Sequence, residues 1–249
     1  MIKNISFRIV IPVFNAEKYI EKCIESIQNQ SFKKFKALII DDCSTDNSFE
    51  ISQNKIKNDE RFSIIKNKKN LGALHNIVKG LDFSNELPHE TVDIIIDGDD
   101  WLYANDVLDI VALTYLNTNC LITYGSLIHT GGNGTFGKKY PFRTIFTNTY
   151  RKTTWCGTHL KTFRHDLWLK INHDDLRDNS GNYFDSASDL AIMFPMLEMA
   201  EIRQECISDI LYCYNNENPL CDHYIKKESQ KLNSDFIRNK VPYKKIILP

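Results

Sequence analysis

Four short apolar-rich runs limit what this chain can fold into more than any other feature. Residues 7–14, then FKALIID, FSIIKN and VDIIID, are each closed by polar residues and each followed by a stretch with helical character. Runs of that length suit strands buried on both faces of a parallel sheet, since a strand with one wet face would alternate apolar and polar side chains. After the first run, Tyr19, Ile20, Cys23, Ile24 and Ile27 recur at helical spacing, with Asn15 placed to cap the helix and Glu17 in its first turn. Ser44 is placed to cap a second helix over 49–56, and Leu71, Leu74, Ile77, Val78 and Leu81 mark a third. A fourth helix over 105–116 leads to a fifth strand at CLITYGSLI. The expectation is an α/β architecture, a Rossmann-like, mostly parallel sheet flanked by helices.

Past residue 130 the alternation fades. HTGGNGTFGKKYP reads as a loop or distorted hairpin, TFRHDLWLKI and ASDLAIMFPMLEMA as helices, with Pro195 ending or kinking the second, and ISDILYCYN as a strand. The charged tail from about residue 225 reads as a surface helix. The organisation expected is one catalytic unit over 1–249, with a nucleotide-binding half at 1–130 and an irregular half with the tail at 131–249.

Composition removes several classes of function. A formal net charge of -1 lacks the basic footprint that nucleic-acid binding requires. Seven scattered cysteines without a C-x-x-C pair read as reduced thiols rather than a disulfide frame or zinc site. No stretch reaches the roughly 18 to 20 apolar residues that span a bilayer. The opening MIKNISFRIVIPVF contains Pro12, lacks a small-residue cleavage site and reads as a first strand rather than a secretion signal. A cytoplasmic location is expected, with peripheral attachment to a membrane left open.

Polar residues gather where the runs end, and in an open parallel sheet the carboxyl ends of the strands are where ligands bind. The first run ends in Pro12-Val13-Phe14-Asn15, the second in Asp41-Asp42-Cys43-Ser44 and the fourth in Asp97-Gly98-Asp99-Asp100. Three carboxylates within four residues repel one another without a cation, and their oxygens are hard ligands suited to Mg2+ or Mn2+. The plainer reading is an acidic turn that caps the following helix.

Taken together, IPVFNAEKYIEKCIESIQNQSF, IIDDCSTDNS, NLGALHNIVKGL and IIDGDDWLY, in that order, resemble the inverting family 2 glycosyltransferases of the GT-A fold. The resemblance covers about the first 130 residues strongly and the remainder in outline. It implies transfer of a sugar from a nucleotide diphosphate donor, a UDP-sugar by expectation, to a hydroxyl of a glycan, lipid-linked or protein acceptor. It further implies that Pro12, Phe14, Glu17 and Asp42 hold the nucleotide base, that Asn70 and Gly72 form a loop close to the nucleotide, and that Asp97 with Gly98 contacts the ribose or the metal shell. Asp99 would ligate Mn2+ or Mg2+, with His223 as a late second protein ligand. Asp189, at the start of a helix in the second half, would be the general base, with Asp185 its rival and Ser186 or Ser188 capping that helix. Trp155, Gly157 and His159 fall in the acceptor-side loop. Relatives place an Arg-Asn pair where this chain has Ile77 and Val78, so His75 is the substitute candidate on that helix.

Two other classes compete. A nicotinamide-dependent oxidoreductase would need G-x-G-x-x-G after the first strand, where PVFNAE stands. A catalytically silent nucleotide-sugar-binding module would keep the fold and lose the acids, which are retained here. The Q-x-x-R-W motif of membrane-embedded synthases is absent, so single or short-run transfer is expected over processive polymerisation.

Overall fold

The computed structural model describes residues 5–83, 91–220 and 225–246. Strands β1 (Ser6–Val13), β2 (Phe35–Asp41), β3 (Phe62–Lys66) and β4 (Thr91–Ile95) lie parallel in the order β3-β2-β1-β4. They are joined by helices α1 (Ile20–Gln28), α2 (Ser48–Ile56) and α3 (Ala73–Asp82). After β5 (Trp101–Leu102) and α4 (Val107–Thr118) come β6 (Ile122–His129) and β7 (Gly134–Thr135), which close the glycine-rich hairpin. Then follow α5 (Phe142–Phe146), β8 (Thr162–Arg164), α6 (His165–Trp168), α7 (Ser188–Ala200), β9 (Gln204–Tyr214) and α8 (Lys227–Asn239).

The strands are sandwiched between two apolar layers because their side chains alternate in direction. Phe7, Ile9, Ile11 and Val13 face α1 and α4, meeting Ile20, Cys23, Ile24, Val107 and Val111. Val10, Leu38 and Ile40 face the opposite side, with Leu74, Ile77 and Val78 of α3 and Ile192, Met193 and Phe194 of α7. Each fully buried side chain of this size is worth about 1.5–3 kcal/mol relative to exposure. Burial on both sides is why the runs read as apolar rather than alternating.

The second half departs from the expected pattern at one decisive place. Residues 162–164, read from sequence as the start of a helix, form β8, which lies antiparallel to β4 on one side and to β6 on the other. The fifth expected strand therefore does not sit beside β4, and the sheet runs on as β8-β6-β9-β5, with β6 and β9 parallel. Three residues are too few to show a strand period, and their pairing is entirely long-range. Pro195 lies inside α7 without ending it. The caps also differ. Asn15 takes a left-handed backbone (φ 49) and its Oδ1 accepts from the Thr45 N–H, while α1 starts only at Ile20. Ser44 Oγ accepts from the Asn15 N–H, and Asp46, whose Oδ1 accepts from Ser48 N–H, introduces α2.

Candidate functional site

The carboxyl ends of β1, β2 and β4 open into a cleft of about 1110 Å³. Pro12, Phe14, Asp42, Asn70, Gly72, Asp97, Gly98, Asp99, Trp155, His159 and Asp189 all line it, so the two halves of the chain share one site. Gly157 is not among the lining residues; it backs Trp155, since a Cβ there would lie 2.8 Å from the indole. Glu17 does not line the cleft: its Oε2 accepts from the backbone and side-chain nitrogens of Asn47, which ties the α1 entry to α2 instead. His223 lies outside the described residues.

At the β2 end of the cleft, Asp42 is buried and works on the loop above it. Its carboxylate accepts from Leu71 N–H, from Gly72 N–H at 2.8 Å and from Asn67 Nδ2 at 2.8 Å. Gly72 has φ 88, a backbone that glycine adopts without penalty, so the turn closes tightly over the acid. Asn67 is oriented by Lys79, an ammonium that can only donate, onto its Oδ1; its amide nitrogen therefore donates to both Asp42 and Asn76 Oδ1. Asn76, not His75, is the polar α3 side chain that lines the cleft, beside Ala73. The buried Asn76 Nδ2 has no hydrogen-bond partner among the described residues. His75 instead packs edge-on against Tyr183.

The acidic loop after β4 is pinned from three sides. Gly98 N–H donates to Pro12 O at 3.1 Å, and a Cβ at residue 98 would stand 2.7 Å from Val13 Cγ2, so only glycine allows β1 and this loop to approach so closely. The Tyr212 hydroxyl accepts from Asp97 N–H and donates to Asp100 Oδ2 at 2.7 Å, while Asn215 N–H donates to Asp100 Oδ1 at 2.7 Å. Burial, with Asp97 and Asp99 alongside, pushes the Asp100 carboxyl well above its ordinary range. Asp100 lines the cleft together with Asp97 and Asp99 but is held as a structural anchor; Asn218 Nδ2 donates to Asp99 Oδ2 at 2.6 Å.

Among the described residues, no three His, Cys, Asp or Glu side chains converge as a ready-made cage for a cation. The carboxylates of Asp97 and Asp99 are nonetheless the kind of donor set that Mg2+ or Mn2+ uses when ligand phosphates and water complete its shell. The residues present fit a divalent ion shared with a bound diphosphate.

At the opposite end, Asp189 stands in the first turn of α7 and accepts from the ammonium of Lys161, which is 3% exposed. Burial pushes the Asp189 carboxyl up, but Lys161 outweighs it and holds the group below the ordinary carboxylate range. The expected serine cap of this helix is not formed: Ala187 occupies the N-cap position with φ 58, while Ser186 bonds Asp185 and Ser229. Asp185 faces α8, accepting from Asn233 Nδ2 at 2.7 Å, and does not line the cleft. His159 stacks on Tyr212 with ring centroids 4.6 Å apart, and burial beside Lys161 lowers its imidazole to about 3, so it is neutral near pH 7. Trp155 packs edge-on against Phe194. The arrangement offers acidic oxygens at the floor, an ionised carboxylate across the cleft and a neutral aromatic wall between them.

The family model for glycosyl transferase family 2 matches residues 8–174. This chain belongs to glycosyl transferase family 2. An uncharacterized glycosyltransferase of Haemophilus influenzae is 30% identical over 175 residues, covering 67% of each chain. Among solved structures, S. aureus TarS (residues 1–349) in complex with UDP-GlcNAc superposes with a TM-score of 0.63 at 21% identity, over 85% of this chain and 58% of that one. The mannosyltransferase PcManGT from Pyrobaculum calidifontis, in complex with GDP-Man and Mn2+, superposes with a TM-score of 0.65 at 13% identity, over 95% of this chain and 65% of that one. These likenesses show a GT-A fold, a mixed α/β sheet flanked by helices. The chain spans between 19% and 67% of the length of the curated relatives it matches. Among the described residues no helix is long and apolar enough to cross a membrane.

Proposed function

We propose that this glycosyl transferase family 2 chain moves a sugar from a nucleotide diphosphate donor, of which a UDP-sugar is the first to test, to an acceptor hydroxyl with inversion at the anomeric carbon. The observation that carries the reading is that Asp42 after β2, Asp97 and Asp99 in the loop after β4, and Asp189 in α7, from three separate segments, line one cleft. The nucleotide lies against Pro12 and Phe14, under the loop that Asp42 holds in place. Asn76 Nδ2 supplies a donor for a base carbonyl, since a buried N–H left unpaired is costly. Asp97 and Asp99 hold a divalent ion, Mn2+ or Mg2+, which when bound neutralises charge on the leaving diphosphate.

Asp189 takes the proton of the acceptor hydroxyl as that oxygen attacks from the face opposite the diphosphate. Its low proton affinity keeps it ionised and ready at neutral pH. His159 and Trp155 form the apolar-edged wall against which the acceptor ring is oriented, and the neutral imidazole bonds a hydroxyl without competing for the proton. The test is a panel of UDP-sugars with Mn2+, read by thermal shift and by product formation, on wild type, Asp99→Ala and Asp189→Asn. Ligand stabilisation is expected in wild type and Asp189→Asn and absent in Asp99→Ala, with turnover in wild type alone. Transfer by Asp189→Asn at the wild-type rate would remove the base from this scheme.

A further inference from the structure

One wall of the cleft is left without a task by the reading above. It is the face of α8, from which Lys227, Gln230, Lys231, Ser234 and Arg238 line the cleft, with Lys226 just ahead of them. At 3.6 residues per turn, residues 227, 231 and 238 project within roughly 40° of one another, while Phe236 and Ile237 take the other side. Those two pack inward: Ile237 is buried and Phe236 meets Phe184 with centroids 5.8 Å apart. The acids of this helix, Glu228 and Asp235, are not among the cleft-lining residues. The helix therefore sorts its charge, cations to the cleft and acids away from it.

The sorting runs against the helix's own interest. Lys226 and Lys227 stand at the N-cap and first helical position, where the helix field favours anions and a cation is disfavoured. Lys227 and Lys231 are exposed and form no ion pair among the described residues, so they are not holding the fold together. The helix itself is fixed: Asn233 Nδ2 donates to Asp185 Oδ1 and Ser186 Oγ, Ser229 shares a hydrogen bond with Ser186, and Arg238 donates to the carbonyls of Arg151 and Thr153. Those anchors place the cationic face beside the segment that leads directly into Asp189, at the base end of the cleft rather than beside Asp42. From Lys227 to Arg238 the stripe is about 16 Å long at 1.5 Å per residue, more than one diphosphate can cover.

We propose that this face binds phosphate groups of the acceptor, so that the acceptor class is a phosphate-bearing saccharide or polyol, its hydroxyl presented to Asp189 while its phosphates lie along α8. The inference rests on the proposed transfer reaction for its orientation. The donor diphosphate is the other source of the same chemistry, and the test separates them. A fluorescein-labelled tetramer of abasic deoxyribose phosphodiesters is titrated into UDP-saturated protein with Mn2+, beside an uncharged methylphosphonate tetramer, on wild type and on Lys227→Ala/Lys231→Ala. Wild type should bind the charged tetramer at least tenfold tighter than the uncharged one. The double variant should lose that preference and keep its UDP affinity within twofold and its Tm unchanged. Equal binding of the two tetramers, or equal binding by wild type and double variant, would overturn the proposal. A tenfold loss of UDP affinity in the double variant would overturn it too, by assigning α8 to the donor. Failure of wild type to bind UDP at all would instead count against the transfer reading, and the tetramer arm, repeated without UDP, still decides the role of α8.

Discussion

The ammonium of Lys161, almost completely buried, donates to the carboxylate of Asp189, which keeps 46% of its side chain exposed. One oxygen of the proposed base is thus held from behind while the group still faces the cleft. The pairing has a pH signature. Lys161 depresses the Asp189 pKa, so the base stays ionised and the rate holds until pH falls through that depressed value, below the roughly 3.9 of an ordinary aspartate. Lys161→Met removes the depression, and the acid limb of kcat/KM against pH should move to higher pH while UDP affinity is kept. Lys161→Arg should restore the wild-type limb. An acid limb that stays put in Lys161→Met would show that Lys161 does not tune the base.

Asp42→Asn replaces one carboxylate oxygen with an NH2 that must face backbone N–H groups already pointing at it from Leu71 and Gly72. Loss of those charge-assisted bonds should cost about 1–3 kcal/mol in urea unfolding. The loop they hold carries Asn70 and Gly72, so UDP affinity should fall by at least tenfold in calorimetry.

Gly157→Ala tests the acceptor wall separately from the donor pocket. The added methyl would press on the Trp155 indole from 2.8 Å, and the indole must swing toward the cleft or away from Phe194. The acceptor KM should rise several-fold, with UDP affinity unchanged. Equal KM values would remove Trp155 from acceptor binding.

Arg151 and Glu198 form a buried bidentate pair, with bonds of 2.6 and 2.9 Å and side-chain exposures of 4% and 0%. Arg151→Met strands the Glu198 carboxylate in a setting that already raises its pKa by burial. Destabilisation of about 3–5 kcal/mol is expected at pH 7, read as a drop in the urea midpoint. The loss should be smaller at pH 5, because protonating Glu198 relieves the stranded charge.

The parallel part of the fold was legible because its strands are covered on both faces. Ile9, Ile11, Ile39 and Ile94 sit where an unbroken apolar run says they should. The cleft acids were legible for a related reason: strand ends in such a sheet converge, so motifs far apart in sequence meet. β8 was not, since Thr162 to Arg164 take their conformation from β4 and β6, and no local period records that. Nor was Lys161, whose role follows from being buried opposite Asp189, a position that residue type does not disclose. Glu17 matched its motif in sequence, yet the nearby Asn47 captures its carboxylate. Tyr212, Asn215 and Asn218 went unassigned, although an asparagine-rich stretch directly after a strand signals a turn with side chains free to bond neighbouring backbone.

The insertion of β8 between β4 and β6 also bears on how the molecule can be taken apart. A fragment stopping at residue 130 would contain β6 but neither of the strands that flank it, and would leave the far edge of β4 bare. Open strand edges of that kind seek other chains. Such a fragment would be expected to precipitate rather than to serve as a portable nucleotide-binding cassette, and chimaeras with relatives should exchange the region from β4 through β9 as one block.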